Sequence, residues 1–158
     1  MPVRVGSCAE MTCWRQQALI DSPIDVVWDL VRDPERYPEW ASDVVEVTGL
    51  PTIAEGATFT QKTRLIGTAT TTYVIDTLEE DLRRIRLRCT KSGYYSDWAL
   101  TEAQGETFAD VEIGMEPTTL PFRAIDATVG KRMYRKLLEQ TLVTLRQRAA
   151  ERAAARSR

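Results

Sequence analysis

The sequence predicts an α+β fold in which about seven antiparallel strands form a curved sheet and a long C-terminal helix packs against it. Between residues 43 and 115, apolar and polar residues alternate with a period of two, in six segments separated by glycine or acidic turns. After residue 121 the apolar residues recur every three or four positions instead. A length of 158 residues is typical of one domain.

The elements before the six strands are shorter. Residues 12–20 predict an edge strand that ends in turn residues. Residues 22–31 predict a helix, because Ser22 can cap it and Pro23 suits its first position. Its apolar positions are Ile24, Val27, Trp28 and Val31. Residues 34–40 are proline-rich and predict a second short helix or turn.

Alternation assigns a face to most of the strands. The predicted strands are Asp43–Leu50, Thr58–Ile66, Thr68–Leu78, Leu82–Thr90, Tyr94–Ala103 and Thr107–Met115. Strand 68–78 leaves two alternatives open. A two-residue turn at 66–67 would place Thr72 and Asp76 on the inner face, whereas the other parity would bury Tyr73 and Ile75.

The C-terminal helix is predicted to be about 25 to 30 residues long. Its apolar stripe consists of Ile125, Val129, Met133, Leu137, Leu138, Thr141, Leu142 and Leu145. Beyond Leu145 the sequence keeps helical propensity but has no large apolar side chain. We therefore expect a flexible leader over residues 1–11, a single domain over 12–148, and a frayed basic tail over 149–158.

Composition excludes several classes of function. The chain has no histidine, which rules out a Ser-His-Asp triad, a Cys-His pair and any histidine-containing metal site. The cysteines Cys8, Cys13 and Cys89 have no C-x-x-C spacing, so we expect free thiols and a cytoplasmic protein. No signal peptide or membrane span is predicted. Neither a metal nor another cofactor is expected.

The net charge of −2 conceals an uneven distribution. Residues 1–116 carry 11 cationic and 20 anionic side chains, whereas residues 117–158 carry 10 and 3. The cationic side chains of the C-terminal helix lie opposite its apolar stripe or in the tail. This pattern favours a solvated face that complements the acidic sheet, so we expect no nucleic-acid partner and at most transient contact with a membrane.

The order of three short motifs resembles that of a known superfamily. The motifs are Ile20-Asp21-Ser22-Pro23-Ile24-Asp25-Val26-Val27-Trp28, then Asp33-Pro34-Glu35-Arg36-Tyr37-Pro38-Glu39-Trp40, and then Trp98-Ala99-Leu100 followed by Gly105-Glu106-Thr107. Over residues 12–148 the chain resembles the START/SRPBCC superfamily, the birch-pollen-allergen-like proteins, and within it the polyketide cyclase/dehydrase and lipid-transport branch. The resemblance implies a helix-grip fold with an elongated cavity for an apolar or aromatic small molecule.

The resemblance also bears on chemistry. Aromatase/cyclases of this branch carry a pocket arginine on the strand that corresponds to 68–78, and polar side chains on the long helix. Here that strand has no arginine and Asp76 stands near its position, while the helix has Gly130 and Leu138 in place of the polar groups. Trp98 matches an aromatic wall of those proteins. The aromatase machinery is therefore not reproduced, and we rank ligand binding above catalysis.

Polar residues of inward parity indicate where a cavity lies. A buried polar group without a partner costs roughly 1–3 kcal/mol, and a wet cavity relieves that cost. Some of these residues could instead reach solvent at strand ends. Asp76 and Tyr94 are the candidates for proton transfer. The predicted ligand contacts are Tyr37, Phe59, Gln61, Thr63, Thr72, Ser96, Trp98, Met115, Phe122, Met133 and Tyr134.

Three hypotheses of function follow. The first is a polyketide cyclase/dehydrase-like protein that binds a hydrophobic or aromatic small molecule and guides its cyclisation or dehydration. The second is a non-catalytic carrier or sensor for a lipid or quinone-like molecule. The third is a protein-interaction module, a homodimer included, that uses Tyr73, Ile75 and Tyr95 on the outer sheet.

Overall fold

The computed structural model describes residues 12–65, 67–116 and 119–158, and it confirms the predicted α+β class. The strands are β1 (Cys13–Ile20), β2 (Val44–Thr48), β3 (Thr58–Leu65), β4 (Gly67–Glu79), β5 (Arg84–Cys89), β6 (Tyr94–Ala103) and β7 (Glu106–Met115). The helices are α1 (Ile24–Val31), a 3₁₀ helix (Pro34–Glu39) and α2 (Leu120–Arg156). The predicted leader 1–11 lies outside the described residues.

The described strands form one curved antiparallel sheet of seven strands, in the order β1-β7-β6-β5-β4-β3-β2. The chain passes from β2 to β7 as a meander, as the sequence predicts. The predicted edge strand β1 lies beside β7 at the far edge. Helix α2 lies mainly against β1, β7 and α1. The middle strands are farther from its backbone, so large side chains fill the space between helix and sheet.

The start of α1 differs in detail from the prediction. The helix begins at Ile24, with Pro23 as the preceding cap residue and no side-chain cap. The Ser22 hydroxyl donates instead to the carbonyl oxygen of Asp21 over 2.7 Å. The Ser22 carbonyl accepts a 2.8 Å hydrogen bond from the buried Thr107 hydroxyl, which ties this turn to β7.

The register between β3 and β4 determines which residues of β4 face the inside of the sheet. Leu65 lies opposite Gly67, so Phe59 faces Tyr73 across the pair. Gly67 has φ = 69°, a left-handed conformation that glycine adopts without strain. Tyr73 is therefore buried, and Thr72 is exposed. The expected inward positions of Thr72 and Asp76 are wrong, because they assumed a longer turn between the two strands.

Helix α2 is longer than predicted and remains docked to its end. It has 37 residues. Ala149 is 0% exposed and belongs to the core. Arg152 binds the Glu39 carboxylate at 3.0 Å, and Arg156 pairs with Asp29. The predicted frayed tail is wrong, because small alanine side chains continue the apolar stripe where large ones stop.

Because the last turns of α2 are docked, substitutions at two neighbouring alanines should change the free energy of unfolding by different amounts. Ala149→Glu places a carboxylate in the core and should lower the free energy of unfolding by about 1–3 kcal/mol. Ala150 is exposed, so Ala150→Glu should change it by no more than about 0.5 kcal/mol. Urea unfolding of both variants measures the difference. Equal effects would mean that the last turns are not docked.

The described cysteines differ from each other. Cys89 is a free, buried thiol. Cys13 is disulfide-bonded, so the expectation of three free thiols is wrong, and cysteine usage no longer supports a cytoplasmic location. No helix in the described part of the chain combines the length and apolar character needed to cross a bilayer.

Candidate functional site

A small, partly open cavity lies between the sheet and the middle of α2. Its lining residues are Tyr37, Trp40, Ala41, Asp43, Val44, Gln61, Tyr73, Leu87, Tyr94, Ser96, Trp98, Ile113, Leu137, Leu138 and Thr141. The cavity volume is about 30 Å³, which has room for about two water molecules. Pockets for drug-sized ligands are about 300–1,000 Å³. In this conformation the structure therefore does not show the elongated ligand cavity that the resemblance implies.

Aromatic side chains form one wall of the cavity. Trp98 on β6 meets Trp40 edge to face, with ring centroids 5.2 Å apart. The Trp40 indole N–H donates to the Leu30 carbonyl oxygen over 3.1 Å, and the Tyr37 hydroxyl donates to that of Val31 over 2.8 Å. These two bonds hold the rings of the 3₁₀-helix segment against the end of α1. Trp40 is not among the predicted ligand contacts, but it lines the cavity.

Asp43 provides the cavity with a buried carboxyl group. It lies just before β2 and is 6% exposed. Burial raises the pKa of its carboxyl group to about 6, although hydrogen bonds from its own backbone N–H and from the Tyr94 hydroxyl act in the opposite direction. Nearby, the Ser42 and Thr141 hydroxyl oxygens lie 2.9 Å apart and link this segment to α2.

Sequence analysis missed Asp43 as a site residue. It stands at the first position of a predicted strand, where aspartate is usually solvated. Its burial depends on the 3₁₀ helix, β6 and α2 meeting around it, and no local pattern of residues signals that contact.

A second polar group comes from β3. The Gln61 Nε2 atom donates to the Thr63 hydroxyl over 3.0 Å, and that hydroxyl lies 3.4 Å from the Tyr73 hydroxyl. In this orientation of the amide, Gln61 Oε1 is the one buried side-chain nitrogen or oxygen atom in the described ranges that has no hydrogen-bond partner. A buried acceptor without a hydrogen-bond partner lowers the stability of the fold by roughly 1–3 kcal/mol. The atom therefore indicates an unmet hydrogen-bonding capacity at the cavity.

The predicted site residues fall into three groups. Five of them line the cavity: Tyr37, Gln61, Tyr94, Ser96 and Trp98. Four others are buried without lining it: Phe59, Thr63, Met115 and Tyr134. Phe122 and Met133 are half-buried at the edge of the core, and Thr72 is exposed. Their roles in binding remain predictions.

Asp76 lies on the opposite face of the sheet from the cavity. Its carboxylate accepts a 2.7 Å ion-pair hydrogen bond from Arg88 Nε and lies 3.9 Å from Arg86. A register shift in β4 follows directly, between Ile75 and Thr77. Asp76 therefore cannot act inside the cavity, and Asp43 is the carboxyl group that the fold places there.

The outer face of the sheet is covered by ion pairs. The guanidinium of Arg86 lies 4.1 Å from the ring centroid of Tyr95, whose hydroxyl donates to Glu112 over 2.8 Å. Tyr73, Ile75 and Tyr95 are all buried. The hypothesis of an interaction module relied on the exposure of these three side chains, and the structure contradicts that exposure.

The carboxyl group of the cavity can act as an acceptor of hydrogen bonds and protons. A carboxyl group whose pKa is about 6 is ionised at neutral pH and can accept a hydrogen bond or a proton. Burial raises the pKa of Tyr94 well above its ordinary value, so its hydroxyl stays protonated. Among the described residues, no arginine or lysine lines the cavity.

Comparison with known proteins agrees with this architecture. The model of a family described as polyketide cyclase/dehydrase and lipid transport matches residues 11–150. A search of curated proteins finds no match. Solved structures share the fold at low sequence identity, and three of them illustrate the range.

A protein from Thermus thermophilus is 14% identical, with a TM-score of 0.73 over 90% of this chain and 99% of its own. A START superfamily protein from Mycobacterium smegmatis is 12% identical, with a TM-score of 0.69 over 88% and 97%. The Zhui aromatase/cyclase from a Streptomyces species is 15% identical, with a TM-score of 0.64 over 94% and 96%. At such identities these likenesses concern the fold.

Proposed function

Because the chain belongs to the polyketide cyclase/dehydrase and lipid-transport family, we propose that it binds a hydrophobic or aromatic small molecule between the sheet and α2. The observation that carries this proposal is the meeting of an unpaired Gln61 oxygen and a buried Asp43 carboxyl group with aromatic walls at one small cavity. An interior selected for stability alone would place apolar side chains at these positions. A ligand that satisfies the polar atoms explains why they are there.

Binding requires the interior to open, because a volume of about 30 Å³ is too small for such a molecule. The start of α2 is the part that can move at least cost. Over residues 120–132 only Asp126 and Gly130 are buried, while Leu120 and Val129 are exposed. Segments with few buried apolar contacts open locally at low free energy. The proposal therefore includes displacement of these first turns as the ligand enters.

Two fates of the bound molecule are compatible with this site. A carrier or sensor of a lipid or quinone-like molecule would hold it unchanged. The Asp43–Tyr94 pair favours a second function, in which the Asp43 carboxylate removes a proton beside a carbonyl group and so assists cyclisation or dehydration of the ligand. This pair takes over the role that sequence analysis gave to Asp76 and Tyr94.

Native mass spectrometry after gentle purification tests the proposal. A retained lipid or quinone-like molecule supports the carrier. Release of a product lighter by one water, after incubation with a linear polyketide, supports the enzyme, and Asp43→Asn should then stop turnover. A protein that retains nothing and binds no naphthol in a fluorescence titration would contradict ligand binding altogether.

Substitution of Gln61 should separate stability from binding. Gln61→Met keeps the shape of the side chain but removes the unpaired oxygen, so the free energy of unfolding should rise by about 1 kcal/mol. The dissociation constant for naphthol should increase by about two- to ten-fold, because an acceptor is lost. Gln17→Met, at an exposed position of β1, is the matched control and should change neither quantity appreciably. A less stable Gln61→Met with unchanged affinity would make Gln61 purely structural.

A further inference from the structure

The polar end of the cavity offers two acceptors, the Asp43 carboxyl group and Gln61 Oε1. The Tyr94 hydroxyl lines the same cavity as the Asp43 carboxyl group and acts to lower the pKa of that group. The Gln61 amide nitrogen donates to Thr63, which leaves Gln61 Oε1 without a partner. A ligand that enters here therefore meets a carboxyl group and an amide oxygen, both of which can accept a hydrogen bond from the ligand.

The cavity also lacks any positive charge. No arginine or lysine lines it in the described ranges. The arginines of β5 point to the other face of the sheet, where Arg84 binds Asp97 at 2.7 Å and Arg88 binds Asp76 at 2.7 Å. A carboxylate or phosphate of a ligand would lie beside Asp43 with nothing to compensate its charge. Like charges at close range in a buried site repel strongly.

We propose that the molecule held in this cavity presents a hydrogen-bond donor, such as the hydroxyl of a phenol or alcohol, to Asp43 and Gln61, and that the site rejects anions such as fatty-acid carboxylates. This inference rests on the proposed function and narrows its ligand class. The apolar remainder of the ligand lies against Trp40 and Trp98. Hydrogen bonds to a charged acceptor are stronger than those between neutral groups, so the donor sets the preference.

Three naphthalene derivatives of similar size test the preference at neutral pH. Naphthol carries the donor, methoxynaphthalene has lost it, and naphthoate replaces it with an anion. Fluorescence titration should show that naphthol binds about ten-fold or more tightly than the ether and about a hundred-fold more tightly than naphthoate. Equal or tighter binding of the ether or of naphthoate would overturn the inference and leave the proposed function standing. Failure of all three to bind would overturn both.

Substitution of Asp43 tests whether this residue causes the preference for naphthol over naphthoate. Asp43→Asn removes the negative charge and adds a donor, so the difference between naphthol and naphthoate should shrink by at least about ten-fold. Asp76→Asn is the matched control on the outer face and should leave the difference unchanged. Circular dichroism confirms that each variant is folded. If Asp43→Asn does not fold, Gln61→Glu provides the second test, since an added carboxylate should weaken naphthoate binding further. An unchanged selectivity in the folded variant would contradict the role given to the cavity acceptors.

Discussion

Trp98→Ala is expected to lower the free energy of unfolding by about 3–5 kcal/mol, the usual cost of removing a buried indole. Trp98 is 3% exposed and supports Trp40 across the cavity. The middle strands lie far from the backbone of α2, so no nearby main chain can move in to fill the space. We therefore expect most of the lost volume to remain as a larger apolar cavity.

Such a cavity should accept the missing ring. Indole added at about 100 times its dissociation constant should restore about 2.7 kcal/mol to Trp98→Ala, measured as a rise in thermal midpoint. Trp14 is half-buried on β1, so Trp14→Ala should lose less stability and show no rescue. A Trp98→Ala variant that is destabilised but does not respond to indole would mean that the interior collapses when it is emptied.

The stability of the protein should depend on pH through Asp43. In the folded state the pKa of its carboxyl group is raised to about 6 from an ordinary value of 3.8, so the folded protein holds this proton more tightly than the unfolded chain does. The stabilising contribution is complete below about pH 4 and is lost as the pH rises through about 6. The shift in pKa corresponds to about 3 kcal/mol in the free energy of unfolding. Asp43→Asn has no carboxyl group at this position, so its stability cannot change with pH for this reason. The wild-type protein should therefore lose stability relative to Asp43→Asn across this range.

Urea unfolding at a series of pH values measures this difference, and carbon-13 NMR of the carboxyl group locates its pKa. Tyr94→Phe removes a hydroxyl that favours the charged form, so the pKa of Asp43 should move above about 6. Tyr95→Phe is the same substitution one residue along, on the outer face, and should leave it in place. A constant stability difference between wild type and Asp43→Asn from about pH 4 to pH 7 would show that Asp43 is solvated.

The sequence predicts the architecture well because most of the relevant signals are local. Alternation defines β3, β5, β6 and β7, and the helical stripe defines α2. The predictions are wrong where a single residue determines which face of a strand is buried or whether a helical turn is docked. One residue fewer in the turn between β3 and β4 reverses the faces of β4, and alanines anchor the last turns of α2 although no large apolar side chain occurs there.

The site is less accessible to sequence reasoning because it depends on contacts between distant elements. Inward parity correctly brings Gln61, Ser96 and Trp98 to the cavity. Asp43 is found only when the 3₁₀ helix, β6 and α2 are assembled around it. The local sequence pattern favours Asp76 over Asp43 as a site residue, yet Asp76 lies on the outer face in an ion pair with Arg88. A strand pattern gives the face of a side chain but not its neighbours.

The structure also explains why the unliganded interior is nearly closed. Aromatic side chains fill the space that a ligand would occupy, and Tyr37 and Trp40 donate hydrogen bonds to backbone carbonyl oxygens of α1. Of the buried side-chain nitrogen and oxygen atoms in the described residues, Gln61 Oε1 has no partner. Opening this interior exposes apolar surface to water, at roughly 25 cal/mol for each Å². A ligand that covers the same surface and bonds to the acceptors offsets that cost, so binding and opening are linked.

According to the proposed function, a small molecule with a donor group binds between the sheet and α2, at Asp43 and Gln61. An NMR titration with naphthol tests it most directly, since side-chain N–H signals report on single residues. We expect shifts of the Gln61 amide and of the Trp40 and Trp98 indole signals, with those of Trp14 and Trp28 unchanged. Shifts confined to Trp14 or Trp28, or no shifts at saturating naphthol, would contradict it.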